Sequence, residues 1–390
     1  MFPYLAIVLL IGALLIFKFK SVYLKFILLV YWYPLLTMFL FCLEVPLGSS
    51  LDVVGRPAHE EYCDKAFIVA LVGYFVFAFT IWSLRDKRFE FKRLRINETS
   101  RLILIFFLAL ISVIAYPKAF GIGDQRWDLI PGPWAVIAIA FNLILVLSFE
   151  KLKSISTLLQ IFLLFITIKG GERASSLLFF VILFLMHKPL KANIIVENKF
   201  KLKTILFFSG LLLVSISAAA WRSGNSITFL YLLYNIVSVH TVKDVVHIYF
   251  SSFGYLNDFG LNFYPLLNEI GSILYLPIIG GTGNRFNFTE ILRDYIPNYG
   301  GGLFYAEGVL IFGAFGPVIY AFLYGVVLRY LFVKSNLFVS IVFATLIVLQ
   351  MRFQWYGVVY VYSPIVFSYI LIRMLKFLSK DTKNNLTEDF

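Results

Sequence analysis

The chain has 390 residues, 60% of them hydrophobic and 14% charged, with 43 Phe, 23 Tyr and a formal charge of +12; its mean hydropathy is +0.86. A soluble domain of this length cannot hide so much apolar surface, whereas a bilayer needs it exposed. The positive charge fits membrane topology better than a nucleic-acid footprint, so the composition predicts one all-α, polytopic integral membrane domain and no nucleic-acid partner.

Along the chain, apolar runs predict spans at Phe2–Phe17, Phe26–Leu43, Ala66–Leu84, Leu102–Tyr116, Trp134–Phe149 and Ile155–Ile168. Further runs follow at Ala174–Met186, Thr204–Trp221, Phe304–Val327, Leu337–Gln350 and Gly357–Ile372. That makes about 11 transmembrane helices, several of them shorter than the ~20 residues a perpendicular helix needs. The first run has no basic n-region and no small-residue cleavage site, so it reads as a retained span. Between spans 8 and 9 lies the one long insert, residues 222–303, entered through Trp221-Arg222-Ser223-Gly224 and left through Asn298-Tyr299-Gly300-Gly301-Gly302.

Charge divides the connections into two groups. Lys18–Lys25, Arg85–Arg101, Glu150–Ser154, His187–Lys203, Arg329–Asn336 and the tail from Arg373 hold 23 of the 34 Lys and Arg. The connections opposite, Glu44–Lys65, Pro117–Pro133, Lys169–Arg173, Arg222–Leu303 and Met351–Tyr356, hold the other 11 over many more residues. Compact basic loops are the ones retained in the cytoplasm. The C-terminus is therefore expected inside, and the N-terminus and the insert outside. Seven of the 11 outer cations are Arg (Arg56, Arg126, Arg173, Arg222, Arg285, Arg293 and Arg352) against seven of the 23 inner ones. The planar guanidinium suits bidentate binding of phosphate or carboxylate; chance and nearby carboxylates are the plainer explanation.

Three stretches carry polar residues that a purely structural frame does not need. Lys169-Gly170-Gly171-Glu172-Arg173-Ala174-Ser175-Ser176 joins two apolar legs too short to cross the ~30 Å hydrocarbon core, which puts the turn below the outer surface. A helical hairpin capped by its own Glu172–Arg173 pair is the alternative. In the insert, His240, Lys243, Asp244 and His247 share one helical face. His240 and His247 are two turns apart, roughly 10 Å, too far for one metal ion, so the expected arrangement is the polar face of an amphipathic helix on the membrane surface, although either imidazole can act as a base. Arg285, Glu290, Arg293 and Asp294 flank a short helix opened by Thr289. Finally, Glu307 lies about one turn inside a span, with no cation at i±4, next to Gly308, Gly313 and Gly316, whose structural role is close helix packing.

These features resemble the bacterial oligosaccharide repeat-unit polymerases, the Wzy-type O-antigen polymerases. The resemblance rests on the Gly-Gly-Glu-Arg turn, the long external insert and the run Ala-Glu-Gly…Phe-Gly-Ala-Phe-Gly…Leu-Tyr-Gly over 306–325. It implies polymerisation of undecaprenyl-diphosphate-linked oligosaccharides, the chemistry of O-antigen or capsule-type chains, at the periplasmic face of the inner membrane. A polysaccharide chain-length regulator is an implied partner, and neither cofactor nor metal is expected. The leaving group is a diphosphate, for which Arg173, Arg222, Arg285 and Arg293 are the candidate ligands. Glu307, His240 and His247 are the candidate bases for the acceptor hydroxyl. No Asp-x-Asp triplet of the kind that holds a metal in sugar-nucleotide transferases occurs. The competing readings are a ligase that transfers glycan to lipid A core, a flippase for lipid-linked oligosaccharides and a membrane O-acyltransferase.

Cys42 and Cys63 fall near the outer end, where an oxidising compartment permits a disulfide; because Cys42 closes a span, a buried free thiol is expected. The Asn97-Glu98-Thr99 and Asn287-Phe288-Thr289 sequons are expected to be coincidental.

Overall fold

The computed structural model describes residues 2–43, 60–92, 94, 96–115, 132–148, 153–169, 177–183, 209–210, 213–214, 216–217, 243–267, 270, 288–295, 302–334, 336–357 and 359–379, and every regular element among them is helical. Helices α1 (Phe2–Lys18), α2 (Val22–Cys42), α3 (Cys63–Thr80), α4 (Glu98–Ala115), α5 (Gly132–Leu147) and α6 (Lys153–Lys169) match the first six expected spans to within a few residues. Residues 177–183 are helical inside the seventh. The insert supplies α7 (Lys243–Phe259) and α8 (Phe288–Tyr295), followed by α9 (Phe304–Phe312), α10 (Gly316–Val333), α11 (Leu337–Val348), α12 (Gln350–Tyr356) and α13 (Val359–Ser379).

Four apolar stretches, Val22–Cys42, Cys63–Thr80, Glu98–Ala115 and Phe304–Val333, are long enough to cross a membrane, and shorter apolar helices accompany them. Their outward faces are apolar. Ile7, Leu10 and Leu14 on α1, Phe106 and Leu110 on α4, and Phe162 and Phe165 on α6 are all exposed. A bilayer turns such faces from a cost into a requirement, because hydrocarbon takes the place of water around them.

Residues in or next to four of the connections that charge counting groups together lie against one another at one end of the bundle. The Lys20 amide donates to the Arg85 carbonyl at 2.7 Å, and Lys20 pairs with Asp86 at 2.8 Å. That hydrogen bond, with the Arg85 charge beside it, holds the Asp86 carboxyl below its ordinary value. The Lys92 amide donates to Ser340 Oγ at 2.8 Å, the Leu94 amide to the Leu147 carbonyl at 2.8 Å, and the buried Arg101 to the Ser148 carbonyl. Asn97 caps α4, its side chain accepting from the Ser100 amide at 2.7 Å. The first sequon's asparagine thus has a structural role.

Two expectations fail at the other end. Cys42 and Cys63 are not free thiols: they form a disulfide, with Cα atoms 5.8 Å apart. Because α2 ends where α3 begins, the two cysteines reach the spacing a disulfide needs without moving either helix. Met351–Tyr356, expected as an outer loop, is helix α12, with Phe353 and Gln354 buried.

The predicted span Phe304–Val327 is also corrected. It is not one straight helix but a hairpin. α9 runs to Gly313, which takes φ 70°, and a single 3₁₀ turn at Gly313–Phe315 reverses the chain into α10. In a straight helix Phe304 and Tyr324 would stand ~30 Å apart; here their ring centroids are 6.2 Å apart. Gly308 and Gly316 meet backbone to backbone, so close that a β-carbon on Gly316 would lie 1.8 Å from the Gly308 carbonyl oxygen. α10 then packs parallel to α3, with Pro317 beside Gly73, Tyr324 stacked on Phe77 at 5.1 Å, and Gly325 against Thr80.

Candidate functional site

The hairpin places the start of α9 inside the bundle. Nine residues make a helix of only ~13 Å, and its first turn lies level with the Tyr320–Tyr324 turn of α10. Phe304 packs against Phe353 of α12 at 5.0 Å and Tyr31 of α2 at 5.8 Å, and Tyr305 stacks on Tyr31 at 5.7 Å. Non-helical backbone at such depth is tolerated where protein buries it or a polar cavity receives it. Glu307 sits in this first turn with 2% of its surface exposed, where the positive end of the helix dipole favours a carboxylate.

α7 is the second component, and here the expectation of a surface helix is overturned. Every residue from Val245 to Gly254 is buried. His247 is 3% exposed, its ring edge-on to Phe41 at 4.7 Å. Tyr249 donates to the Ala66 carbonyl at 2.9 Å and meets Tyr305 edge-on at 4.9 Å. The polar groups of α7 turn inward on their own helix: Ser251 donates to the His247 carbonyl and Ser252 to the Tyr249 carbonyl. A helix with both faces satisfied this way is buried, not laid on a surface. It runs alongside α9 in the same direction, Ile248 next to Gly302 and Leu261 next to Gly313, and the Asn262 amide donates to the Leu310 carbonyl at 2.8 Å.

α8 packs on this pair. Phe288 closes over Gly302, Leu292 is fully buried, and Tyr295 donates to Asp258 at 2.5 Å. Burial first, then that bond to an anion, raises the Tyr295 phenol above its ordinary value.

The proposed residues therefore divide. Glu307 and His247 stand on two helices packed along each other, and Arg293 lies on α8, which packs on both. His240, Arg173, Arg222 and Arg285 lie outside the described residues, as does the turn at 170–176. Of the seven arginines assigned to the outer end, Arg352 is the one whose side chain is described, and it is half-buried on α12. No three His, Cys, Asp or Glu side chains gather for a metal ion among the described residues.

The sequence reading missed a set of neutral polar groups. Tyr31 Oη, Tyr305 Oη, Gln350 Nε2 and both amide atoms of Gln354 are buried with no hydrogen-bond partner among the described residues. Gln350 Oε1 accepts from Tyr324 at 2.7 Å, which ties α12 to α10. Each unsatisfied buried group costs about 1–3 kcal/mol. The available signal was two amides four residues apart, on one helical face, within an apolar segment. Comparison with protein-family models, with curated proteins and with solved structures finds no match in any of the three.

Proposed function

We propose that this chain joins undecaprenyl-diphosphate-linked oligosaccharide repeat units into polysaccharide at the periplasmic face of a bacterial inner membrane. The observation that carries the reading is the burial of α7. A helix of the long insert is wedged along α9, so the insert reaches the element that holds the buried carboxylate. In the transfer, the bond from the anomeric carbon of the growing chain to its diphosphate oxygen breaks. The acceptor hydroxyl oxygen bonds to that carbon, its proton passes to a base, and the electron pair leaves with the lipid diphosphate. Glu307, or one of His240 and His247, takes the proton. Arg173, Arg222, Arg285 and Arg293 carry the charge on the leaving group.

The topology that goes with this reading has about 11 spans, a periplasmic N-terminus and insert, and a cytoplasmic C-terminus. It is supported by the gathering of basic loops at one end and by a disulfide at the other, since disulfides persist in oxidising compartments. The broken helices α9 and α12 favour a second reading, a transporter of lipid-linked oligosaccharide, because transporters bind substrate at such breaks.

Complementation of a deletion strain tests the reading. Wild type restores long surface chains, whereas Glu307→Gln, present in the membrane at normal level, forms polymer ~10²–10⁴-fold more slowly, the usual value of a general base. A deletion strain that keeps its long chains contradicts the polymerase reading; full chains from Glu307→Gln remove only the base assignment.

A further inference from the structure

The polar groups where α12 meets α9 and α2 describe a ligand. Gln350 Nε2 and both amide atoms of Gln354 on α12, and the hydroxyl of Tyr31 on α2, whose ring lies 5.8 Å from that of Phe304, are buried and lack partners among the described residues. All are neutral, and an amide or a phenol both donates and accepts, as a sugar hydroxyl does. Beside them stand the flat apolar rings of Phe304 and Phe353, 5.0 Å apart. A sugar ring has the matching chemistry, with apolar C–H faces and a rim of hydroxyls.

The groups are sealed from solvent as they stand, so any ligand needs the site to open. α12 is suited to that. It is seven residues long and lies between the break at Leu349 and Gly357, which takes φ 82°. Breaks at both ends let a short helix move without distorting α11 or α13. We propose that the α9–α12 junction is a binding site for a sugar unit of the glycan, with Gln350, Gln354 and Tyr31 sharing its hydroxyl contacts and α12 as the element that moves to admit it. The identity of the glycan rests on the polymerase reading; the neutral, hydroxyl-rich character of the ligand does not.

The disulfide makes a clean test available, because Cys42 and Cys63 are the only cysteines and both are tied up. Gln354→Cys is made in the full-length protein in membranes and treated with a charged, water-borne methanethiosulfonate reagent. Asn257→Cys, at an exposed position, is the positive control. The probe is soluble repeat-unit oligosaccharide, released by mild acid from the host's lipid-linked pool. The expected result is that Gln354→Cys reacts, and that oligosaccharide at ~10 times the dissociation constant of that variant slows the reaction about tenfold, the factor 1 + [L]/Kd. Undecaprenyl diphosphate without sugar leaves the rate unchanged. No reaction while the control reacts overturns the proposal in favour of a permanently closed core. Reaction that the oligosaccharide does not slow also overturns it, leaving a hydrated seam and no sugar site. The polymerase reading is judged separately, by the surface chains of the deletion strain.

Discussion

At the scale of single residues, Cys42 does more than close α2. Its neighbour Phe41 packs against both His247 and Phe250, and Ala66, one turn beyond Cys63, accepts the Tyr249 hydroxyl. The disulfide thus holds together the two helix ends on which α7 rests. It closes a loop with a sequence separation of 21, for which the chain-entropy account gives about 3 kcal/mol. Cys42→Ser is expected to lower the unfolding free energy by about that amount and to loosen α7 before the rest of the bundle. Wild type should shift in mobility on a gel when reductant is added, and Cys42→Ser should not. A wild type that ignores reductant shows free thiols and removes the clamp.

At the scale of elements, the α9–α10 hairpin depends on two missing side chains. A β-carbon on Gly316 would meet the Gly308 carbonyl oxygen at 1.8 Å and its carbon at 2.1 Å, and those are backbone atoms that cannot turn aside. Gly316→Ala should therefore separate α9 from α10 and cost at least the ~1–3 kcal/mol of ordinary overpacking, read as a lower melting temperature of the purified protein. Gly260→Ala is the control. It has no atom within 4 Å of the added carbon, so it carries only the strain of φ 77°. Equal melting of Gly316→Ala and wild type contradicts the hairpin geometry. The elements were unequally legible in the sequence. α1 to α6 could be read as helices because each is one long apolar run bounded by polar residues. The hairpin could not, because residues 304–333 are apolar apart from Glu307 and Arg329 and hydropathy is blind to direction; only Gly313 and the Gly316-Pro317 pair, a break followed by a helix start, marked the reversal. α7 resembled a surface helix because His240, Lys243, Asp244 and His247 share one helical face in the sequence, although His247 is buried and Ser251 and Ser252 are satisfied within the helix. Of the candidate site, Glu307 was visible as a charge in an apolar run. Gln354 was passed over because a lone amide in a short connection between two spans looks like a loop, and Gln350 because it closes the span before it.

At the scale of the whole molecule, the bundle is polarised. Basic loops interlock at one end through Lys20, Arg85, Lys92 and Arg101. The disulfide and α7 occupy the other. Between them, two broken helices meet at Phe304 and Phe353. Under the proposed function this frame extends a lipid-linked glycan on one side of the membrane; under the transporter reading it passes the glycan across, and the two tasks differ in product. Reconstitution of the purified protein in liposomes, supplied on both faces with undecaprenyl-diphosphate-linked repeat units, separates them most directly. The account predicts a ladder of products that differ by one repeat unit, formed without lipid A core and with release of undecaprenyl diphosphate. Lipid-linked units that stay single while crossing the bilayer, or transfer that begins only when lipid A core is added, would contradict it.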